Sequence, residues 1–283
     1  MRTIAISEVV FLKLGGSLLT DKTRARALRA DVLARLAGEI AAALQQRSIP
    51  NGSWLPLRLL IGHGSGSFGH IPASKYGTRT GVTSPEEWRG YAQTSREAAQ
   101  LNRLVVDALW EAGVPVLAIQ PSASASCHDG EIKLLSERPL LSALAQNLVP
   151  VVYGDVAMDD VRGGTIISTE QIFRWLAPRL QPHRVLLVGE VAGVLSADPA
   201  TGRPGDLIGE ITPASLPALE QVLGGSRGVD VTGGMLAKVT EMVRLAQTVP
   251  SLTAVHLISG LVPGLVREAL VDPFVPEGTR IHA

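Results

Sequence analysis

The stretch "LKLGGSLLTDK", residues 12–22, decides the architecture. It closes the apolar run "VVFLKL" (9–14), which reads as a first strand, and passes at once into two glycines. Lys13 lies at the end of that strand, Gly15 and Gly16 let the backbone come close to a ligand, and Ser17 adds a hydroxyl. Lys22 follows five residues on, within reach of the same cavity. Backbone N–H groups in such a turn form a nest for phosphate oxygens, and two ammonium groups neutralise charge that shifts during transfer. The plainer alternative is a tight strand-to-helix turn followed by an exposed lysine. No Walker A sequence occurs, so a P-loop fold is unsupported.

A second glycine loop, "IGHGSGSFGH" (61–70), follows the apolar run "LRLLI". Gly64-x-Gly66-x-x-Gly69 satisfies the dinucleotide-binding fingerprint. Three features count against that reading. The expected acidic residue at the end of a second strand is missing, because Glu86 and Glu87 fall in a helix's first turn. The loop ends in His70, and another glycine loop already stands at the first strand's end. Suited to an anion, the loop nevertheless contains no lysine or arginine. A third element, "GVDVTGGMLAKV" (228–239), opens a helix at Gly233-Gly234 and places Lys238 four residues later on the face of Gly234. Three phosphate-seeking loops in one chain imply more than one phosphate group.

Between these loops, short apolar strands alternate with helical stretches. Strands are predicted at 57–62, 114–120, 148–156, 183–191 and 254–260, and helices at 29–46, 84–113, near 138–147, 168–180 and 232–248. Ser84, Pro85 and Glu87 make a capping signature for the long helix, and Asp129-Gly130 marks a hairpin turn before "EIKLL". Continuous apolar strands separated by helices argue for an α/β fold with a mostly parallel sheet covered on both faces. "SADPATGRPGD" (196–206) reads as a surface loop, and a functional seam is expected near residue 180.

The 283 residues carry 26 basic and 26 acidic side chains, which gives no global basic field and makes nucleic acid a poor partner. No apolar run approaches the roughly 18–20 residues that cross a bilayer, and the N-terminus lacks a secretory h-region. The single cysteine, Cys127, excludes an internal disulfide and fits a reducing cytoplasm. His63 is expected to pack or cap a strand end, His128 to be exposed and His256 to sit in a strand core. No cluster of His, Cys and carboxylates has zinc-site spacing. Asp155 in "YGDV" either supports a metal shell or lysine, or caps a loop.

Together "KLGGS", the glycine loop of the second strand, "YGDV" (153–156), "GVLSADP" (193–199) and "DVTGGMLAKV" (230–239) resemble the amino acid kinase superfamily. The ending "GSFGH" resembles the isopentenyl phosphate kinases and, to a lesser degree, the fosfomycin kinases. The resemblance implies a three-layer αβα sandwich. It also implies one amino acid kinase domain over 1–283, with 1–180 the acceptor-binding lobe and 181–283 the nucleotide-binding lobe, in a cytoplasmic homodimer. The implied reaction moves the γ-phosphoryl group of ATP, with Mg²⁺, onto isopentenyl phosphate to give isopentenyl diphosphate. Carried over by position, Lys13, Lys22 and His70 are catalytic. Lys13, Gly15, Gly16, Ser17, Ser65, Gly189, Gly234 and Lys238 bind ATP, and Gly64, Gly69, His70, Ser168 and Thr169 hold the acceptor. No protein side chain is assigned to the metal, which phosphate oxygens and water would hold.

The chain departs from the family pattern at three places. Gly64-Ser65-Gly66 replaces three successive glycines, Gly189-Glu190-Val191-Ala192-Gly193-Val194 replaces Thr-Asp-Val-Asp-Gly-Val, and Ser168-Thr169-Glu170-Gln171 replaces Ser-Gly-Asp-Asp. None of these removes a lysine or His70. A phosphate monoester, with a second pKa of about 6, is already a dianion near neutral pH and needs no general base. His70 and the loop amides are therefore expected to hold the acceptor phosphate, while Lys13 and Lys22 serve the transferring group. An isoprenyl tail would lie in an apolar cavity lined from helix 84–113. Two other readings stay open: a related kinase acting on fosfomycin or another small phosphate, and a non-catalytic nucleotide-binding module.

Overall fold

Strand β1 (Glu8–Leu14) buries Val10, Leu12 and Leu14 in one apolar core and Phe11 in another. Alternate side chains of a strand point to opposite faces, so β1 must lie in a sheet covered on both sides. A computed structural model describes residues 7–48, 55–196, 205–223 and 234–283 of the chain, and it has that organisation. Helices α1 (Gly16–Leu19), α2 (Ala30–Ser48), α4 (Pro85–Glu111) and α9 (Leu265–Val271) pack on one face. Helices α5 (Arg138–Ala145), α6 (Thr169–Leu180), α7 (Leu216–Leu223) and α8 (Gly234–Thr248) cover the other. The result is the expected αβα sandwich.

The large sheet contains β2 (Leu57–His63), β3 (Val116–Ala118), β6 (Val149–Tyr153), β9 (Arg184–Gly189), β12 (Glu210–Ile211), β13 (Ala254–Ser259) and β14 (Thr279–Ile281) besides β1. Their spatial order is β12-β14-β13-β9-β1-β2-β6-β3. All neighbours pair in parallel except β13 with β14. Strands from before residue 180 lie on one side of the β9–β1 junction, and those from after it lie on the other. The seam expected near residue 180 would fall at this junction.

Three local features differ from expectation. The run 148–156 breaks at Gly154: β6 stays in the large sheet, while β7 (Asp155–Asp159) pairs antiparallel with β8 (Gly163–Ile167). With the hairpin β4 (Ser126–His128) and β5 (Glu131–Leu134), these form a separate sheet in the order β5-β4-β7-β8. The segment "GSFGHIPASK" is helix α3 (Gly66–Lys75) rather than a loop, so His70 sits on a helix. A short ribbon, β10 (Val194–Leu195) with β11 (Leu207–Ile208), follows β9. Residues 197–204 of the expected surface loop and Gly233 lie outside the described residues.

The sequence signals at the long helix and the hairpin have their expected physical form. Glu87 N donates to Ser84 Oγ at 3.2 Å and Ser84 N to Glu87 Oε2 at 2.8 Å, a reciprocal capping box. Asp129 and Gly130 have φ of 50° and 83°, the paired positive angles of a hairpin turn.

At the start of β1, Glu8 receives Arg184 Nε at 2.5 Å and Arg47 at 2.7 Å. Both guanidiniums are nearly inaccessible and also cap carbonyls at the end of α9. Burial works to raise the Glu8 pKa, but the hydrogen bonds and charges of Arg184 and Arg47 outweigh it and hold the carboxyl below its usual 4.5. A depressed folded value stabilises above the unfolded pKa and is lost as pH falls through the folded one. Glu8→Gln should therefore cost about 3 kcal/mol at neutral pH by leaving buried cations unpaired. Denaturant titrations should show the gap to the parent closing below about pH 4. A gap that persists unchanged in acid would refute the ionic account.

Candidate active site

The ligand crevice of an open parallel sheet lies beyond the carboxyl ends of its strands, where the strand order reverses. Here that point is the β9–β1 junction, and the turns after β1, β2, β6 and β9 converge there on one cavity of about 810 Å³. That volume is ordinary for a small-molecule site of roughly 300–1,000 Å³.

Lys13, Gly15, Gly16, Ser17 and Lys22 of the first glycine segment all line it. Gly15 N donates to Val188 O at 2.8 Å, tying this turn to β9. On the other side Gly16 meets the second glycine turn backbone to backbone. A Cβ on Gly16 would stand 2.7 Å from Gly66 N, and one on Gly64 would stand 2.9 Å from Gly16 N. Gly66 has φ +51°, and a Cβ there would strike Thr20 Oγ1 at 2.3 Å. That hydroxyl donates to Gly16 O at 2.8 Å and accepts from Ser67 N at 2.9 Å, joining the two turns. Only glycine satisfies this approach.

Gly64, Ser65, Gly69 and His70 line the same cavity, with His70 exposed on α3. Ser65 Oγ stands 2.6 Å from where a Cβ on Gly69 would be, so the serine in place of a glycine is accommodated by the glycine one turn on. His63 is different. It is fully buried, stacked on Tyr153 at 5.6 Å, with Nδ1 3.0 Å from Gly64 O and Nε2 3.1 Å from Asn102 Oδ1. Burial outweighs those two bonds and lowers its pKa, so it is a neutral packing residue, as expected.

Ser168 and Thr169, expected on the acceptor, border the cavity but have local work. Ser168 Oγ accepts from Gln171 N at 3.1 Å in a capping box at the start of α6, and Thr169 Oγ1 donates to His63 O at 2.7 Å. The box sets Glu170 in the first helical turn, and its Oε1 lies 2.5 Å from Lys13 Nζ. Burial would raise the Glu170 pKa, but the charge and hydrogen bond of Lys13, with the charge of Lys238, bring it below the usual carboxylate range. Glu170 is the functional candidate that sequence reasoning passed over. Its signal was its place in Ser168-Thr169-Glu170-Gln171, on the first aspartate of the family's Ser-Gly-Asp-Asp.

On the β9 side, Gly189 and Glu190 line the cavity, and Glu190 pairs with Arg29 at 2.7 Å. Gly234 begins α8, which brings Met235, Lys238 and Met242 to the wall. Asp155 is buried and accepts from Val156 N at 2.8 Å, Ser122 N at 3.2 Å and Ser95 Oγ at 3.3 Å. Burial pushes its pKa up despite these bonds. It has the capping arrangement of the two accounts considered for it. Apolar lining comes from Leu187, Ile258 and Met242 on β9, β13 and α8 and from Ala73 and Ile166 on α3 and β8, with Thr94 of α4 beside them, its hydroxyl donating to Gly90 O at 2.8 Å. No helix among the described residues is long and apolar enough to cross a membrane.

A parallel sheet with paired glycine turns and three lysines at its switch point defines a class, and the comparisons agree on it. The amino acid kinase family model matches residues 8–255, and the chain belongs to that family. Its relatives are isopentenyl phosphate kinases. That of Methanothermobacter thermautotrophicus is 37% identical over 96% of this chain and 98% of its own, and that of Methanocaldococcus jannaschii is 33% identical over 83% and 86%. A solved isopentenyl phosphate kinase superposes with a TM-score of 0.79 at 33% identity, over 97% of this chain and 100% of its own.

Gly16→Ala should lower stability by about 1–3 kcal/mol, because the new methyl meets backbone that cannot rotate away. ATP binding by calorimetry should weaken with it. Unchanged melting and binding would show that the two turns can part without cost.

Proposed function

We propose that this chain is an ATP-dependent kinase that converts isopentenyl phosphate to isopentenyl diphosphate. The kinase assignment follows the relatives' shared activity at full-length coverage. One observation carries the mechanism: every carboxylate lining the cavity is already engaged. Asp155 accepts two backbone N–H groups and a hydroxyl, Glu170 holds Lys13, and Glu190 holds Arg29. Among the described residues no acid stands ready as a general base, which an alcohol acceptor requires and a phosphate dianion does not.

In this reading, catalysis is positioning plus charge neutralisation. The amides of Gly15, Gly16 and Ser17, with Ser65, Gly189, Gly234 and Lys238, hold the nucleotide. Lys13 and Lys22 stabilise the transferring phosphoryl. Glu170 keeps Lys13 aligned between turnovers and lies in the field of Lys238. Gly64, Gly69 and His70 hold the acceptor phosphate, with Ser168 and Thr169 shaping the wall behind it. Imidazole suits that place because it donates a hydrogen bond and adds no negative charge. Ala73 and Ile166, beside Thr94 of the long helix, would give the isoprenyl tail an apolar seat.

Mg²⁺ fits this site as an ion held mainly by phosphate oxygens and water, beside the carboxylates Glu170 and Asp155 that line the cavity. Glu170, beside Lys13, would accept from water on the ion, and the ion would offset charge on the phosphates. The same reading takes residues 1–180 as the acceptor lobe and 181–283 as the nucleotide lobe of a cytoplasmic homodimer. The β9–β1 junction supports the division.

The purified protein with Mg·ATP should release ADP rapidly with isopentenyl phosphate and dimethylallyl phosphate, and far more slowly with fosfomycin or acetylglutamate. Selective turnover of fosfomycin would overturn the proposed acceptor. His70→Ala should cut kcat/KM for isopentenyl phosphate about a hundredfold with the melting point retained, since it removes a donor to developing charge. Full activity in that variant would take His70 out of the mechanism.

A further inference from the structure

Of the three cavity lysines, Lys13 is paired with Glu170 and Lys238 bears on the same carboxylate. Lys22 is exposed and has no hydrogen-bond or ion-pair partner among the described residues. A solvated lysine loses substantial rotamer freedom when it binds a phosphoryl group, so its backbone must be fixed by something else. It lies in a short closed excursion between α1 and α2. Asp21 N donates to Ala27 O at 2.9 Å, and Thr20 bridges antiparallel to Leu28. Asp21 Oδ1 also accepts from Thr23 N at 2.9 Å and Thr23 Oγ1 at 2.7 Å. One end is joined to the glycine turns through Thr20 Oγ1, and the other through Ala27 N to Ser67 Oγ at 3.3 Å.

Within this excursion Arg26 stands out. Its φ is +54°, a left-handed conformation that a non-glycine residue keeps only where the surroundings over-determine it. The guanidinium reaches α4 and forks onto Glu97, with Nε 2.6 Å from Oε2 and NH2 against Oε1. The Glu97 side chain is only 2% exposed, and Arg96 approaches it as well, at 3.2 Å. A carboxylate buried mid-helix is costly unless paired, and a two-pronged arginine bond fixes direction as well as distance. The next residue of α4, Ala98, lies against Gly69 of α3, whose neighbour is His70; Thr94, one turn earlier, lines the cavity. The same stretch of α4 thus anchors the Lys22 excursion and backs the helix that carries His70.

We propose that Arg26 and Glu97 are a positioning pair for Lys22. They lock residues 21–27 onto α4, so that the ammonium group and His70 share one rigid reference across the cavity. Neither residue touches substrate. The proposal rests on the role given to Lys22 above.

A double-mutant cycle tests it. Arg26→Met with Glu97→Leu removes both charges and leaves no buried carboxylate unpaired, so the melting midpoint should move by only about 2–4 °C. With Lys22 present, kcat should fall about tenfold or more while KM for ATP and for isopentenyl phosphate stays within about twofold. In the Lys22→Ala background, the same replacement should lower kcat further by less than about twofold. Arg26→Lys, which keeps a cation beside Glu97, should show the same non-additivity at smaller amplitude and serves as an arm that does not depend on the double replacement folding. An equal fall in both backgrounds, or no fall with Lys22 present, would overturn the positioning role and leave Lys22 standing. Unchanged kcat in Lys22→Ala itself would overturn the reading of Lys22 and this proposal with it.

Discussion

The structure depends on two backbones touching where side chains would forbid it. β1 and β2 are parallel neighbours with Leu14 beside His63, so the turns that follow them leave the sheet side by side. At Gly16, Gly64 and Gly66 the chains come so close that a single methyl would meet backbone atoms. The shared hydroxyl of Thr20 closes the contact. Two sets of backbone donors are thereby merged into one concave surface, and neither turn could build that surface alone. Lys13 reaches it from the strand below, Lys22 from the excursion beyond α1, and His70 from the helix that Gly66 begins.

Charge is handled within this frame by pairing rather than by excess. The chain has no net charge, and each acid at the cavity has its partner. In the proposed reaction, Lys13 and Glu170 are such a pair at the site of transfer. The carboxylate keeps the ammonium group oriented, and phosphate oxygens bound there would compete with it for the same protons. His63 and His70, seven residues apart, show how completely surroundings decide a residue's chemistry. One is buried, stacked and held neutral; the other is exposed at the cavity rim.

At the opposite end of β1, the Glu8–Arg47–Arg184 cluster does a comparable task for the fold. It joins α2, the start of β1, β9 and the end of α9, elements far apart in sequence. The strand that presents Lys13 is therefore held by buried charge at its beginning and by glycine contacts at its end, with apolar cores on both faces between.

Much of this was readable from local pattern. The parallel α/β class follows from continuous apolar strands, the caps of α4 and α6 from Ser-x-x-Glu and Ser-x-x-Gln, and the hairpin from Asp129-Gly130. That the lysines, glycines and His70 would line one cavity was legible, because nests and cations proposed for phosphate need those residue types near strand ends. Other features were not legible, because they are long-range contacts that no local spacing encodes. Gly154 diverts β7 into a second sheet, Glu170 finds a lysine 157 residues earlier, and Thr169 spends its hydroxyl on the carbonyl of His63. Which residue types stand at the strand ends was thus written locally. Which of them meet, and which are withdrawn into hydrogen bonds, was decided only when the sheet brought distant strand ends together.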